Sequence, residues 1–189
     1  MVKRCEWPTN NELMVKYHDE EWGVPLHDDR KLFEFMVLQS AQAGLSWSTI
    51  LNRREGYRKS FSYFEYKKIA KYTNKDFERL MNDKRIIRNR LKIKATISNA
   101  ENFIKIQEEF GSFDKYIWSF VNYKQIINRT DKLSDIPANT TISDVMSKDL
   151  KKRGFKFVGP TICYAFMQST GLVNDHATYC FRYKICQEK

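Results

Sequence analysis

Apolar residues recur at three- and four-residue spacing through most of this chain, and no segment alternates cleanly over the length of a strand. The pattern predicts a succession of helices. Asp28 or Asp29 is placed to cap the first, which begins near Lys31, carries Leu32, Phe33, Met36 and Val37, and runs to Ala43. Gly44 interrupts it. A second helix is expected from about Ser46 to Arg54, with a turn at Gly56. Residues 1–27 read as irregular. Thr73-Asn-Lys-Asp has the form of a capping box ahead of Phe77, Leu80 and Met81. The longest stripe spans about Ile87 to Phe110. Gly111 then suits the left-handed residue past a helix end, and Ser112 caps a short helix with Phe113, Tyr116, Ile117 and Phe120. Residues 122–140 read as loop with one weak element. The chain is predicted to be all-α and to form a single compact domain over 1–189.

The last two helices frame a second pattern. One opens at Thr141 and stops at Gly154. After Phe155-Lys-Phe-Val158 come Gly159 and Pro160, and proline suits the first position of a new helix ending at Gly171. Helix, glycine-bounded turn and helix make a helix-hairpin-helix candidate, in which backbone amides at the turn approach a phosphate. Lys148, Lys151, Lys152, Arg153 and Lys156 surround it, and a second basic run, Lys84, Arg85, Arg88, Arg90, Lys92 and Lys94, lies upstream. The competing reading is an ordinary helical corner with a solvated basic face. At Gly44-Leu45-Ser46-Trp47 the break carries an apolar tip, suited either to wedging into a base stack or, for Trp47, to the core.

Composition agrees with helices and points to a partner. Glycine and proline number only seven and four, too few for a chain of tight β turns. Aromatic residues make up 14% of the chain, enough to fill a core and still line a site. A formal charge of +10 favours a polyanion, with nucleic acid first and a membrane surface second. No apolar stretch reaches the roughly 18 residues of a membrane span, and no signal peptide opens the sequence, so a cytoplasmic protein without a membrane partner is expected.

Cysteines in a reducing compartment are thiols or metal ligands. Cys5 and His18 near the start, with His176 and Cys180 near the end, form Cys-x12-His and His-x3-Cys. Two thiolates and two imidazoles complete a tetrahedral zinc set with no open position. The spacing is looser than in zinc fingers, and buried structural thiols are the alternative. Cys163 falls on an apolar helix and reads as core. His27 reads as a surface residue.

These residues together resemble the 3-methyladenine DNA glycosylase I family. The likeness is carried by Arg4-Cys5-Glu6-Trp7, by Tyr17-His18-Asp19 with Glu21-Trp22-Gly23-Val24-Pro25, and by Ala41-Gln42-Ala43-Gly44-Leu45-Ser46-Trp47. It continues in Trp118-Ser119-Phe120-Val121-Asn122, in Leu150 to Gly159, and in Gly171-Leu-Val-Asn-Asp175-His176. The resemblance implies a helix-hairpin-helix enzyme of base-excision repair. It would hydrolyse the N-glycosidic bond of N3-methyladenine in double-stranded alkylated DNA, release the free base and act as a monomer.

It further implies a structural zinc on Cys5, His18, His176 and Cys180. A base pocket is implied around Tyr17, Trp22 and Trp47, with Trp7 nearby. Leu45, beside Gly44, would fill the vacated duplex. DNA contacts are expected at Lys151, Lys152, Arg153, Gly154, Lys156 and Gly159. At the position where the family carries a base-contacting glutamate, this sequence has Gln39. That departure keeps open a second reading, a zinc-stapled protein that binds damaged DNA without chemistry. No aspartate follows the hairpin within Pro160 to Thr170, and the nearest acid, Asp175, is expected to belong to the metal end.

Overall fold

The protein is described here from a computed structural model covering residues 2–8 and 11–187. The helices are α1 (Glu12–Glu20), α2 (Asp29–Gln42), α3 (Trp47–Ser60), α4 (Tyr66–Ile69), α5 (Asn74–Met81), α6 (Arg90–Phe110), α7 (Phe113–Ser119), α8 (Thr141–Lys152), α9 (Pro160–Ser169) and α10 (Arg182–Ile185). Helix α2 is the central post. Every residue from Leu32 to Ala41 is buried, and α3, α6, α7 and α9 pack around it. Phe33 meets Phe103 of α6 edge-on, and Phe103 stacks on Phe113 at 4.1 Å, so one aromatic column ties three helices together.

Local chemistry sets the helix ends. Asp28 accepts from Lys31 N at 2.8 Å and caps α2. Asp29 serves a different helix: its carboxylate accepts from Phe113 N and Asp114 N at the start of α7. Thr73 and Asp76 form the expected capping box of α5. Gly111 takes φ 85° after α6.

Three expectations are corrected. The N-terminal segment expected to be irregular contains α1, capped by Asn11, whose side chain accepts from Leu13 N and Met14 N (residues 1, 9 and 10 of that segment lie outside the described residues). Gly56 does not turn the chain. Helix α3 runs through it to Ser60, and the missing side chain serves close approach, since a Cβ there would meet the Arg85 carbonyl at 2.4 Å. The fold is also not wholly helical. Strands β1 (Ile126–Ile127) and β2 (Val173–Asn174) pair in parallel, and an isolated bridge joins Thr130 to Ala177. A two-residue ladder leaves no alternation to read. It nonetheless fixes the loop ahead of α8 to the segment that carries His176. No described helix is long and apolar enough to cross a membrane.

Candidate active site and metal centre

A cavity of about 280 Å³ opens where α1, α2, α3 and α9 converge. Helix α1 supplies Met14 and Tyr17, with Trp22 just past its end. The last turns of α2 supply Gln39 and Gln42, and Trp47 is the first residue of α3. Ala165, Gln168 and Ser169 come from α9, Trp7 from the N-terminal segment, and Leu133 and Ile136 from the braced loop. Tyr17 and Trp47 lie 5.2 Å apart, and Trp7 meets Trp22 edge-on at 5.0 Å. The four aromatic residues expected at a base pocket therefore share one hollow. A larger groove of about 660 Å³ lies against other faces of Tyr17 and Ser169. Its charged lining is largely self-neutralised, with Arg54 on Glu21 and Glu34, and Arg58 on Glu34. The smaller, aromatic hollow suits a flat heterocycle.

The cavity wall holds unused hydrogen-bonding capacity. Among the described residues four buried side-chain nitrogen or oxygen atoms have no partner, and three belong to this wall: Trp7 Nε1, Trp47 Nε1 and Gln39 Oε1. Buried polar atoms without partners are costly, so three around one hollow mark a place for a polar ligand. Gln39 Nε2 donates to Ser169 Oγ at 2.5 Å, and Tyr17 OH donates to the same oxygen at 2.9 Å. Burial pushes the Tyr17 phenol far up, so it stays a donor. The Ser169 hydroxyl in turn donates to Ala165 O at 2.7 Å.

Behind this wall Cys5, His18, His176 and Cys180 meet, all buried, with their ligand atoms within 4.8 Å of one another. Cys5 Sγ is 3.5 Å from His176 Nδ1, and Cys180 Sγ is 3.5 Å from His18 Nε2. A tetrahedral ion with ordinary metal–sulfur and metal–nitrogen bonds has sulfur–nitrogen edges of about 3.6 Å, so the cluster is sized to hold a metal ion. The second nitrogen of each imidazole is engaged. His18 Nδ1 donates to Asp19, itself gripped by Arg4, and His176 Nε2 donates to the Trp22 carbonyl at 2.8 Å. Both tautomers are thereby set with the metal-facing nitrogen bare. The Trp22 bond also couples the metal centre to the cavity wall.

Asp175 does not join the cluster. It is buried and faces the other way, accepting from Tyr164 OH, Gln168 Nε2 and Asn128 Nδ2. It had been expected at the metal end because of its neighbour His176. Successive residues of an extended segment point to opposite sides, which sequence proximity hides.

At the hairpin, Gly154 takes φ 90° and Phe157 φ 55°, while Pro160 opens α9. Asn99 of α6 donates to Lys156 O and accepts from Lys156 N, holding the turn like a paired strand. Ser40 of α2 donates to Phe157 O. Lys148, Lys151, Lys152 and Lys156 are exposed around the turn. Arg153 is spoken for by Glu109 and Asp149. Upstream, Lys92 also turns inward, its ammonium donating to Ala41 O and Ala43 O at 2.8 and 2.7 Å. It caps the end of α2, immediately before Gly44 (φ 76°) and the exposed Leu45. His27 is a surface residue, paired with Asp114 and stacked on Trp118. Cys163 is core, its thiol pushed up to about 12 by burial.

The family model described as "Methyladenine glycosylase" matches residues 7–183. The chain belongs to that family. It is 49% identical over 182 residues to DNA-3-methyladenine glycosylase 1 of Escherichia coli, covering 96% of this chain and 97% of that protein. The Staphylococcus aureus 3-methyladenine DNA glycosylase I, solved to show 3-methyladenine recognition, superposes with a TM-score of 0.92 at 37% identity over 98% of this chain and 97% of its own. A glutamate-to-glutamine mutant of the S. aureus enzyme superposes equally well, with a TM-score of 0.92 at 38% identity over 98% of each chain.

Ser169 is the site residue that sequence reading misses. A serine near the end of an apolar helix carries no spacing signal, and its part in the site depends on side chains more than a hundred positions away.

Proposed function

We propose that this chain excises N3-methyladenine from alkylated double-stranded DNA by hydrolysing the N-glycosidic bond, in keeping with relatives named DNA-3-methyladenine glycosylases. The observation that carries the reading is the π-lined cavity with an unpartnered carbonyl, Gln39 Oε1, in its wall. A base inside a duplex must leave the stack to be reached. The exposed lysines and the hairpin amides would hold the backbone, and Leu45 would fill the space left behind. Methylation at N3 makes the base cationic and loosens its bond to the sugar. Tyr17 and Trp47 then attract it through their ring faces, an interaction worth ~0.5–2 kcal/mol and more where water is excluded. Gln39 Oε1 accepts from the exocyclic amine. The base departs neutral, so no strong general acid is required, and among the described residues none with a carboxyl group lines the cavity.

Cys5, His18, His176 and Cys180 would hold zinc. Four protein ligands would leave no coordination position for water, so the ion would be structural and would hold the chain ends and Trp22 in place. A protein that only binds damaged DNA would share the cavity but release nothing. Incubation with methylated duplex DNA, followed by chromatography of the supernatant, separates the two: free 3-methyladenine above the spontaneous rate supports the enzyme, and bound DNA without release supports the binder.

A further inference from the structure

We infer that Ser169 is a positioning residue that makes Gln39 act as an acceptor only, and that it thereby selects 6-amino over 6-oxo purines. This rests on the base-excision reading and concerns which alkylated base is accepted. A carboxylate offers only acceptors, whichever way it turns. A glutamine amide can offer either a carbonyl or an NH2 group, so at position 39 it needs something to fix its sense.

The hydrogen bonds around Ser169 supply that. Its hydroxyl accepts from Tyr17 OH and from Gln39 Nε2 and donates to Ala165 O, using all three of its capacities. Reversing the Gln39 amide would draw the serine proton to Oε1 and away from Ala165, leaving the group one bond poorer. The fixed sense leaves Oε1 bare in the cavity wall. An exocyclic amine on the purine completes that atom. A 6-oxo group there would set two carbonyl oxygens against each other. Sites that demand a specific hydrogen bond reject the mismatched analogue because a buried group is left unpaired.

The test measures both methylated bases, 3-methyladenine and 3-methylguanine, released from one methylated DNA by mass spectrometry. Ser169→Ala frees the amide to reverse, and the release of 3-methylguanine relative to 3-methyladenine should rise by at least about fivefold, the worth of one hydrogen bond. Ser169→Thr keeps the hydroxyl and should keep the wild-type ratio. In a Gln39→Glu background the carboxylate has no sense to lose, so adding Ser169→Ala should leave the ratio unchanged.

An unchanged ratio in Ser169→Ala, or an equal change in both backgrounds, overturns the inference. If Ser169→Ala does not fold, binding of the free 6-amino and 6-oxo bases to the wild-type protein decides, and equal affinity overturns it. Failure of the wild-type protein to release any methylated base would instead sink the base-excision reading itself.

Discussion

At position 39, where the resemblance leads to the expectation of a glutamate, this chain has Gln39, and the geometry says what that side chain does. Gln39 keeps the acceptor oxygen but brings no charge to a cationic base. Gln39→Glu should raise single-turnover excision of 3-methyladenine by about tenfold, since charge-assisted hydrogen bonds are roughly twice as strong as neutral ones. Ser169 can turn its proton from Ala165 O to the new carboxylate, giving up one hydrogen bond for a charge-assisted one, so the fold should be retained. Equal rates for the two forms would remove the proposed role of this side chain. Trp47→Ala should weaken binding of the methylated base by about 2 kcal/mol, roughly thirtyfold, because a stacking face is lost. A titration of base binding measures it.

The helices were legible where capping chemistry is explicit: Asp28, Thr73, Gly111, Ser112 and Pro160 all sit at the ends their residue types announce. Gly56 was misread because a glycine that permits close packing and a glycine that turns the chain look the same without neighbours. The basic runs were legible as charge but not in their pairing. Lys92 is tied to the end of α2 and Arg153 is salt-bridged at the surface to Glu109 and Asp149, which only the fold reveals. Lys92→Met should therefore loosen the break that presents Leu45. Excision from duplex DNA should fall several-fold while binding of the free base stays the same, which separates wedge from pocket.

A second tie predicts a pH effect. Arg85 holds the Asp83 carboxyl well below the usual carboxylate range, and Ser60 Oγ assists from the end of α3. A depressed carboxyl stabilises the fold above its unfolded pKa and ceases to as pH falls through its folded one. Asp83→Asn should lower Tm near neutrality, and the difference from wild type should shrink as the solution is acidified below that range.

At the scale of the whole molecule, the cluster of Cys5, His18, His176 and Cys180 joins the two ends of the chain; ligand arithmetic offered the set beside buried structural thiols, and the family resemblance chose between them. Its link to the cavity, through His176 and the Trp22 carbonyl, was not legible. With zinc on these four residues, as proposed, a strong chelator should remove about 4 kcal/mol of linked stability and lower Tm by roughly 8–16 °C. Base binding should weaken with it as Trp22 loses its anchor. The charge of +10 predicts DNA binding that weakens steeply with salt, and replacing Lys151 and Lys152 by glutamine should make the slope shallower by about two. The claim beneath all of this is that the aromatic hollow prefers a base because it is electron-poor. Tryptophan fluorescence titrations with an N3-methylated adenine cation and with neutral adenine test it most directly. The account predicts at least about tenfold tighter binding of the cation, and equal affinity for the two would contradict it.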